Sequence, residues 1–166
     1  MIARPCRVLF LCTGNSARSV MAEAALNHLG QGRFEAYSAG SMPAGRLNPF
    51  TLEVLRKHGH PVDRLRSKSW NEFATPGAPE MDLVITVCDN AAGEVCPVWP
   101  GRPAAAHWGF EDPAAFVGSD EATRARFEKV YQQIHRRMRQ LAALPNASLD
   151  SAHLRDALEG LAQREP

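Results

Sequence analysis

The sequence predicts an α/β fold: a single domain with a four-stranded parallel sheet flanked by helices on both faces. Short apolar runs rich in strand-forming residues alternate along the chain with longer segments of helical periodicity. Such alternation is typical of parallel strands joined by helical crossovers. The length of 166 residues suits one domain with a sizeable core. We expect a core over about residues 7–144 and a C-terminal helical extension over residues 148–162.

The first half of the chain supplies two strands and two helices. Residues 7–11 (RVLFL) form a continuous apolar run, typical of a buried parallel strand. A turn follows, and then a helical pattern that stops at Gly30. Residues 34–39 predict the second strand. Asn48 is a suitable N-cap for the second helix, with a proline at its first position and Gly59 after its end.

The second half continues the alternation. Residues 81–87 (MDLVITV) predict the third strand, and a loop rich in glycine and proline covers residues 88–103. The fourth strand is predicted over residues 104–108. Ser119 opens the longest helix, whose acidic first turn and basic last turns agree with the helix dipole. A weaker final helix is predicted over about residues 150–161.

Composition and charge exclude several classes of protein. Apolar residues make up 45% of the chain and charged residues 22%, which are ordinary values for a globular protein. The formal net charge of +1 creates no global field for nucleic acid or anionic lipid, so any anion specificity must be local. No apolar run reaches the roughly 18 residues of a membrane span. We therefore expect a cytoplasmic protein without nucleic-acid or membrane partners. A monomer is also expected, although the sequence does not reveal the oligomeric state.

The four cysteines are Cys6, Cys12, Cys88 and Cys96. They are too few for a disulfide scaffold in a chain of this length. A metal site is disfavoured because there is no CxxC pair and no histidine at finger-like spacing from the cysteines. Catalysis and inert burial remain as their roles. Cys6 lies outside every motif, and we interpret it as a packing residue.

The segment CTGNSARS joins the first strand to the first helix, and we call residues 12–19 the oxyanion loop. Ligands of open parallel sheets bind at the carboxyl ends of the strands. The N–H groups of such a loop converge on one point, where the helix dipole adds positive potential. The predicted substrate-binding residues are Thr13, Gly14, Asn15, Ser16, Ala17, Arg18 and Ser19.

Two side chains of the loop suggest chemistry on a tetrahedral anion such as phosphate or sulfate. Arg18 offers a planar fork of donors to two oxygens. Cys12 lies at the origin of the loop, where amides and dipole are expected to lower its pKa by about two units from about 8.5. Ser19 is placed to donate a hydrogen bond to the same sulfur. The alternative reading is that Cys12 is a small apolar residue at the end of a buried strand.

The segment VLFLCTGNSARS, with the dipeptide Asp112-Pro113 far downstream, resembles the low-molecular-weight protein tyrosine phosphatase superfamily. The resemblance runs from about residue 7 to residue 144. It implies that Cys12 is the nucleophile, Arg18 the anion clamp and Asp112 the acid that protonates the departing oxygen. Without the resemblance, Asp112-Pro113 would be interpreted as an ordinary turn.

Within that superfamily the sequence is most similar to the arsenate reductases. The tyrosine phosphatases usually carry a second cysteine before the loop arginine and aromatic residues after Asp-Pro, whereas this chain has Ala17, Ala114 and Ala115. Cys88 follows a predicted strand directly and so lies on the active-site side, and Cys96 follows the segment DNAAGEV. The arsenate reductases of the superfamily commonly separate this pair by six residues, and here seven intervene.

The resemblance implies a mechanism. Cys12 attacks arsenic while Asp112 assists the departure of hydroxide. Cys88 then attacks the Cys12 sulfur and releases arsenite, and Cys96 takes over the disulfide. Electrons would come from thioredoxin or from glutathione with glutaredoxin, and no tightly bound cofactor is expected.

Two other functions and one ion remain open. The same loop would serve a phosphatase that acts on a protein or small-molecule phosphate. It would also serve a non-catalytic oxyanion binder or a thiol redox sensor. The resemblance further suggests potassium near the loop, with Asn15, Glu23 and Ser38 as candidate ligands.

Overall fold

The computed structural model describes residues 4–88, 99–101, 103–149 and 153–162. The described residues form four strands and four α-helices: β1 (Cys6–Cys12), α1 (Arg18–Gly30), β2 (Phe34–Gly40), α2 (Pro49–Lys57), β3 (Leu83–Thr86), β4 (Ala104–His107), α3 (Asp120–Ala142) and α4 (Leu154–Ala162). All strand pairs are parallel, in the order β2-β1-β3-β4. The predicted single α/β domain with a four-stranded parallel sheet is confirmed, whereas the α-helices of the described residues pack in the core cluster on one face of the sheet. Most of the predicted loop 88–103, including Cys96, lies outside the described residues.

Strand β1 is buried on both faces, which explains its continuous apolar run. Val8 and Phe10 belong to the larger core cluster, together with the buried residues of all four α-helices. Leu9 and Leu11 belong to a smaller cluster on the opposite face. Among the described residues, this second face packs against a 3₁₀ turn at Trp70–Phe73. This turn is absent from the elements predicted from the sequence, because four residues are too few to show a helical period.

The helix boundaries follow from capping chemistry. The side chain of Asn48 accepts the N–H of Phe50 at 2.9 Å, and that of Ser119 accepts the N–H of Ala122 at 3.1 Å. Both predicted N-caps are therefore confirmed. Gly59 has a φ of 81°, which allows the chain to turn after α2. Helix α1 begins earlier than its apolar pattern suggested, so Arg18 and Ser19 form its first turn.

The C-terminal helix α4 packs against β4 and α3. Its buried residues are Leu154, Leu158 and Leu161. Arg137 of α3 is itself buried and donates a hydrogen bond to the carbonyl of Leu161. Its guanidinium also lies 5.5 Å from the ring centroid of Trp108, just after β4. Within the described ranges, no helix is both long and apolar enough to cross a bilayer.

The strands bring three segments together at the carboxyl edge of the sheet. Cys12 ends β1 there, and Cys88 follows β3 by two residues. The pairing of β3 with β4 continues beyond the strands, because Trp108 donates its N–H to Thr86 at 2.8 Å and Phe110 donates to Val87 at 3.1 Å. This edge is where parallel sheets bind ligands.

Candidate active site

The side chain of Asn15 stabilises the turn of the oxyanion loop. It has a φ of 46°, a left-handed conformation that asparagine tolerates. Its side chain is fully buried and donates to the Ser19 hydroxyl at 2.8 Å. Its side-chain oxygen accepts the N–H of Lys68 at 2.9 Å. These contacts fix the turn of the loop to the first turn of α1 and to the segment after α2.

The carbonyl groups of the loop are bound by the neighbouring chain segment. The N–H groups of residues 42, 44 and 48 donate to the carbonyls of Thr13, Gly14 and Ser16 at 3.0, 2.9 and 3.1 Å. Carbonyl groups that accept these hydrogen bonds are kept away from a bound anion, which they would repel. The N–H groups of the loop attract an anion. The N–H of Gly14 donates to the Cys12 sulfur. The loop therefore has the character of an anion-binding turn.

Gly40, the last residue of β2, lies directly against this loop. A Cβ atom at this position would overlap the carbonyl oxygen of Thr13 and lie 2.8 Å from that of Cys12. Only glycine therefore lets β2 end at this distance from the loop. This contact could not be predicted from the sequence, since a glycine at a strand end indicates only a turn.

The structure brings Cys88 to Cys12, as expected from its position after β3. The two thiols are hydrogen-bonded to each other and are buried, with exposures of 6% for Cys12 and 2% for Cys88. The Thr13 hydroxyl oxygen lies 3.8 Å from the Cys88 sulfur. Both cysteines are reduced. The two thiols therefore lie close together in the buried site.

The lowered pKa predicted for Cys12 is wrong for this arrangement of the site. The hydrogen bond with Cys88 raises the pKa of the Cys12 thiol, and burial raises it further. The charge of Arg18 and the N–H of Gly14 lower it, but they do not outweigh the first two causes. The prediction weighed the loop amides and the helix dipole alone, because a neighbouring thiol 76 positions away cannot be placed from the sequence. In this arrangement the neutral Cys12 thiol is therefore favoured over the thiolate.

Arg18 and Asp112 meet at the mouth of the site. Arg18 donates from Nη1 to the carbonyl of Phe110 at 3.0 Å, and its Nη2 lies 3.5 Å from Oδ2 of Asp112. Asp112 is exposed, and its Oδ1 accepts the N–H of Ala114 at 3.0 Å. The guanidinium of Arg18 thus contacts the loop that contains Phe110 and Asp112, rather than donating to the Cys12 sulfur. The contact of Phe110 with Arg18 could not be predicted from the sequence, because it comes from the main chain.

The expected hydrogen bond from Ser19 to the Cys12 sulfur is not among the contacts of the described residues. The Ser19 hydroxyl instead accepts from Asn15, which leaves its proton available as a donor. Ser19 is fully buried in the first turn of α1. Its role toward the sulfur stays a prediction, as does the role of Cys96.

Glu23, one of the predicted potassium ligands, forms a buried ion pair with Lys68. Ser38 donates to Oε1 of Glu23 at 2.5 Å, and Nζ of Lys68 lies 3.9 Å from the same oxygen. Burial raises the pKa of the Glu23 carboxyl and lowers that of the Lys68 ammonium, and each charge opposes the shift of the other. The cation that faces Glu23 in this structure is therefore Lys68. Potassium binding stays a prediction, and Lys68 was missed because RSKSW shows no sign of burial.

Comparisons with known proteins agree with this architecture. Residues 7–154 match the family model described as low molecular weight phosphotyrosine protein phosphatase. The arsenate reductase of Bacillus licheniformis is 39% identical over 137 residues, which cover 81% of this chain and 94% of that protein.

Two solved structures show the same fold. The arsenate reductase of Archaeoglobus fulgidus superposes with a TM-score of 0.64 at 31% identity, over 82% of this chain and 99% of that one. A thioredoxin-dependent arsenate reductase of Corynebacterium glutamicum superposes with a TM-score of 0.61 at 29% identity, over 85% of this chain. This chain spans 62% of the length of the Corynebacterium protein. The matched family model and the Cys12–Ser19 loop at the carboxyl edge of a parallel sheet lead to one conclusion: the chain belongs to the low molecular weight phosphotyrosine protein phosphatase family.

Proposed function

We propose that this protein is an arsenate reductase that reduces arsenate to arsenite with cysteine thiols. The observation that carries the proposal is the hydrogen-bonded pair of Cys12 and Cys88 beside the Arg18 clamp. A phosphatase of this family needs one nucleophilic sulfur, whereas a reductase needs a second thiol to supply electrons. The similarity to the arsenate reductase of Bacillus licheniformis supports the same function.

The first chemical step joins Cys12 to arsenic. Arsenate binds to the N–H groups of the oxyanion loop and to the guanidinium of Arg18. A sulfur–arsenic bond forms as Cys12 gives up its proton, for which dianionic arsenate is itself a base. One arsenic–oxygen bond breaks, and Asp112, beside Arg18, donates the proton with which that oxygen leaves as water.

The second step transfers two electrons. Cys88 attacks the Cys12 sulfur as a thiolate, so a sulfur–sulfur bond forms and the sulfur–arsenic bond breaks. The electron pair of the broken bond stays on arsenic, which leaves as arsenite. Cys96 then attacks Cys88 and releases Cys12 as a thiolate. A disulfide requires Cα atoms about 4.4–6.8 Å apart, so the segment that joins Cys88 to Cys96 must bring them to this distance.

The final Cys88–Cys96 disulfide would be reduced by thioredoxin in the cytoplasm. The Corynebacterium glutamicum protein is described as thioredoxin-dependent, which supports this donor. Glutathione with glutaredoxin is the alternative, and it would resolve Cys12 or Cys88 without Cys96. A Cys96→Ser variant should therefore lose activity with thioredoxin and retain activity with glutaredoxin. We propose that the protein acts as a monomer.

The decisive experiment couples arsenate reduction to NADPH through thioredoxin and thioredoxin reductase. Arsenate-dependent NADPH oxidation should disappear in each of Cys12→Ser, Cys88→Ser and Cys96→Ser. Cys6→Ser is the matched control, because Cys6 is also buried but lies at the opposite end of β1. It should keep full activity. Steady NADPH oxidation by the Cys88→Ser variant would refute the two-thiol mechanism.

A phosphatase is the second candidate function, because Cys12, Arg18 and Asp112 are also the groups that hydrolyse a phosphate monoester. Ala114 and Ala115 follow the acid loop and are exposed, so they offer no aromatic wall to an aryl substrate. Release of p-nitrophenol from its phosphate that survives Cys88→Ser would favour this function. Tight arsenate binding without turnover in either assay would indicate a non-catalytic oxyanion protein.

A further inference from the structure

Phe110 connects the arginine clamp to the strand that leads to Cys88. Its carbonyl accepts Nη1 of Arg18 at 3.0 Å, and its own N–H donates to the carbonyl of Val87 at 3.1 Å. Its ring is partly buried against the main core. The sheet therefore sets the position of this carbonyl, because Phe110 is bonded to Val87, the residue before Cys88.

The donors of Arg18 are used unequally. In a planar guanidinium, Nε–H and one N–H of Nη2 point along the same edge, and Nη1 lies on the other side. Nη1 is engaged by Phe110 at ordinary hydrogen-bond length, whereas Nη2 is 3.5 Å from Asp112, longer than such a bond. Nε is buried and has no hydrogen-bond partner in the described part of the chain. The side-on edge of Arg18, formed by Nε and Nη2, thus holds the donors that the protein itself leaves weakly used.

We propose that Phe110 is a positioning residue for the oxyanion clamp. Its main-chain carbonyl holds Nη1 of Arg18 and thereby turns the side-on edge toward the oxyanion loop. A bound oxyanion then receives Nε–H and Nη2–H, while Nη1 stays on Phe110. Orientation in advance strengthens binding because the flexible arginine loses less freedom when the anion arrives. The N–H of Phe110 is bonded to Val87, the residue before Cys88. The same part of the sheet therefore positions both Arg18 and Cys88.

The inference rests on the oxyanion-binding part of the proposed function and does not depend on arsenate turnover. Its test is the dissociation constant of inorganic phosphate, measured by calorimetry. Phe110→Pro removes the N–H that Val87 accepts, and Phe110→Ala removes the same ring but keeps that N–H. We expect phosphate affinity within about threefold of the parent for Phe110→Ala and at least about tenfold weaker for Phe110→Pro.

The same two substitutions are repeated in an Arg18→Lys background. Lysine has no planar fork for the carbonyl to orient, so Phe110→Pro should now change the affinity less than about threefold. Equal losses in both backgrounds would reduce Phe110 to a structural residue and overturn the proposal. Unchanged affinity of Phe110→Pro in the parent would overturn it as well.

Two further measurements keep the test decisive. If thermal melting shows that Phe110→Pro is unfolded, Phe110→Gly replaces it, because glycine loosens the same main chain and Phe110→Ala remains its matched control. The Nε–H resonance of Arg18, observed by NMR, should move downfield when phosphate binds. A resonance unaffected by saturating phosphate would show an end-on clamp and refute the role of Phe110. Failure of arsenate reduction would appear in the NADPH assay alone and leave these phosphate results intact.

Discussion

Cys12 and Cys88 cannot lose their protons independently, because their thiols are hydrogen-bonded within a buried site. The hydrogen bond raises the pKa of Cys12, since the neutral thiol can donate it and the thiolate cannot. In the proposed mechanism, loss of the Cys12 proton is therefore tied to the arrival of an oxyanion that can take it.

The alkylation of Cys12 tests this assignment. With a raised pKa, the thiolate fraction stays small at pH 7 and keeps growing above pH 8, so the rate with iodoacetamide should rise steadily over that range. Cys88→Ala removes the largest cause of the shift and should speed alkylation at pH 7 by about tenfold per unit of pKa lost. Peptide mass spectrometry would follow the reaction, with Cys6→Ala as the control. A plateau below pH 8 in the parent protein would contradict the raised pKa.

The buried pair of Lys68 and Glu23 is the second feature that depends on single side chains. Lys68→Met leaves Glu23 without its cation, and we expect the free energy of unfolding to fall by about 3 kcal/mol. Potassium in the buffer should restore part of the loss if the candidate potassium site accepts the ion. Lys129→Met is the matched control, because Lys129 lies 3.8 Å from Glu111 in an exposed pair that contributes little. Urea denaturation measures both variants, and equal losses would argue against a special role for Lys68.

Local sequence can predict only those site residues whose proposed chemistry is carried by their own side chains at a fixed spacing. Cys12 and Arg18 belong to this group, because the loop between strand and helix sets their separation. Lys68 and Phe110 do not, because their contributions arise from burial and from a main-chain carbonyl. Such features depend on segments that meet only after folding.

At the scale of secondary-structure elements, the site depends on how closely β2 approaches the oxyanion loop. Its register with β1 pairs Gly40 with Cys12, so the last residue of β2 lies beside the proposed nucleophile. The predicted bounds of both strands were correct to within one residue. The closeness of their ends could not be predicted, because apolar periodicity carries no information about backbone contact at a strand terminus.

Gly40→Ala should displace the oxyanion loop, because the added methyl would meet main-chain oxygens that cannot move independently. We expect phosphate affinity to fall by at least about tenfold, with a loss of stability of about 1–3 kcal/mol. Gly160→Ala is the control, since a Cβ there has open space around it. Calorimetry with phosphate and thermal unfolding together measure the effect. Normal affinity in Gly40→Ala would show that the loop tolerates displacement.

At the scale of the whole molecule, we propose that helix α4 folds as part of the same cooperative unit as the sheet. Leu154, Leu158 and Leu161 are almost fully buried, and Arg137 fastens the end of the helix to α3. The sequence predicted the helix from its periodicity, but the surface that it covers follows from the parallel order of the strands, which places β4 at the sheet edge.

The substitution Leu158→Ala tests whether α4 unfolds together with the sheet. Truncation of a fully buried leucine should lower the free energy of unfolding by about 2–5 kcal/mol, whereas the exposed neighbour Glu159→Ala should change it by less than about 0.5 kcal/mol. Chemical denaturation should give one transition, with the same midpoint by fluorescence and by circular dichroism. A separate early transition of the C-terminal helix would mean that α4 is an appendage.

Because Cys12 and Cys88 are buried, molecular size is the first property that decides which compounds reach them. The residues Cys12 and Cys88 are exposed by only 6% and 2%, so a tetrahedral ion a few ångströms across reaches them more readily than a bulky disulfide or a large electrophile does. Bulky oxidants are thus hindered from reaching these two thiols. Selectivity at this centre begins with access, before any bond to sulfur is made.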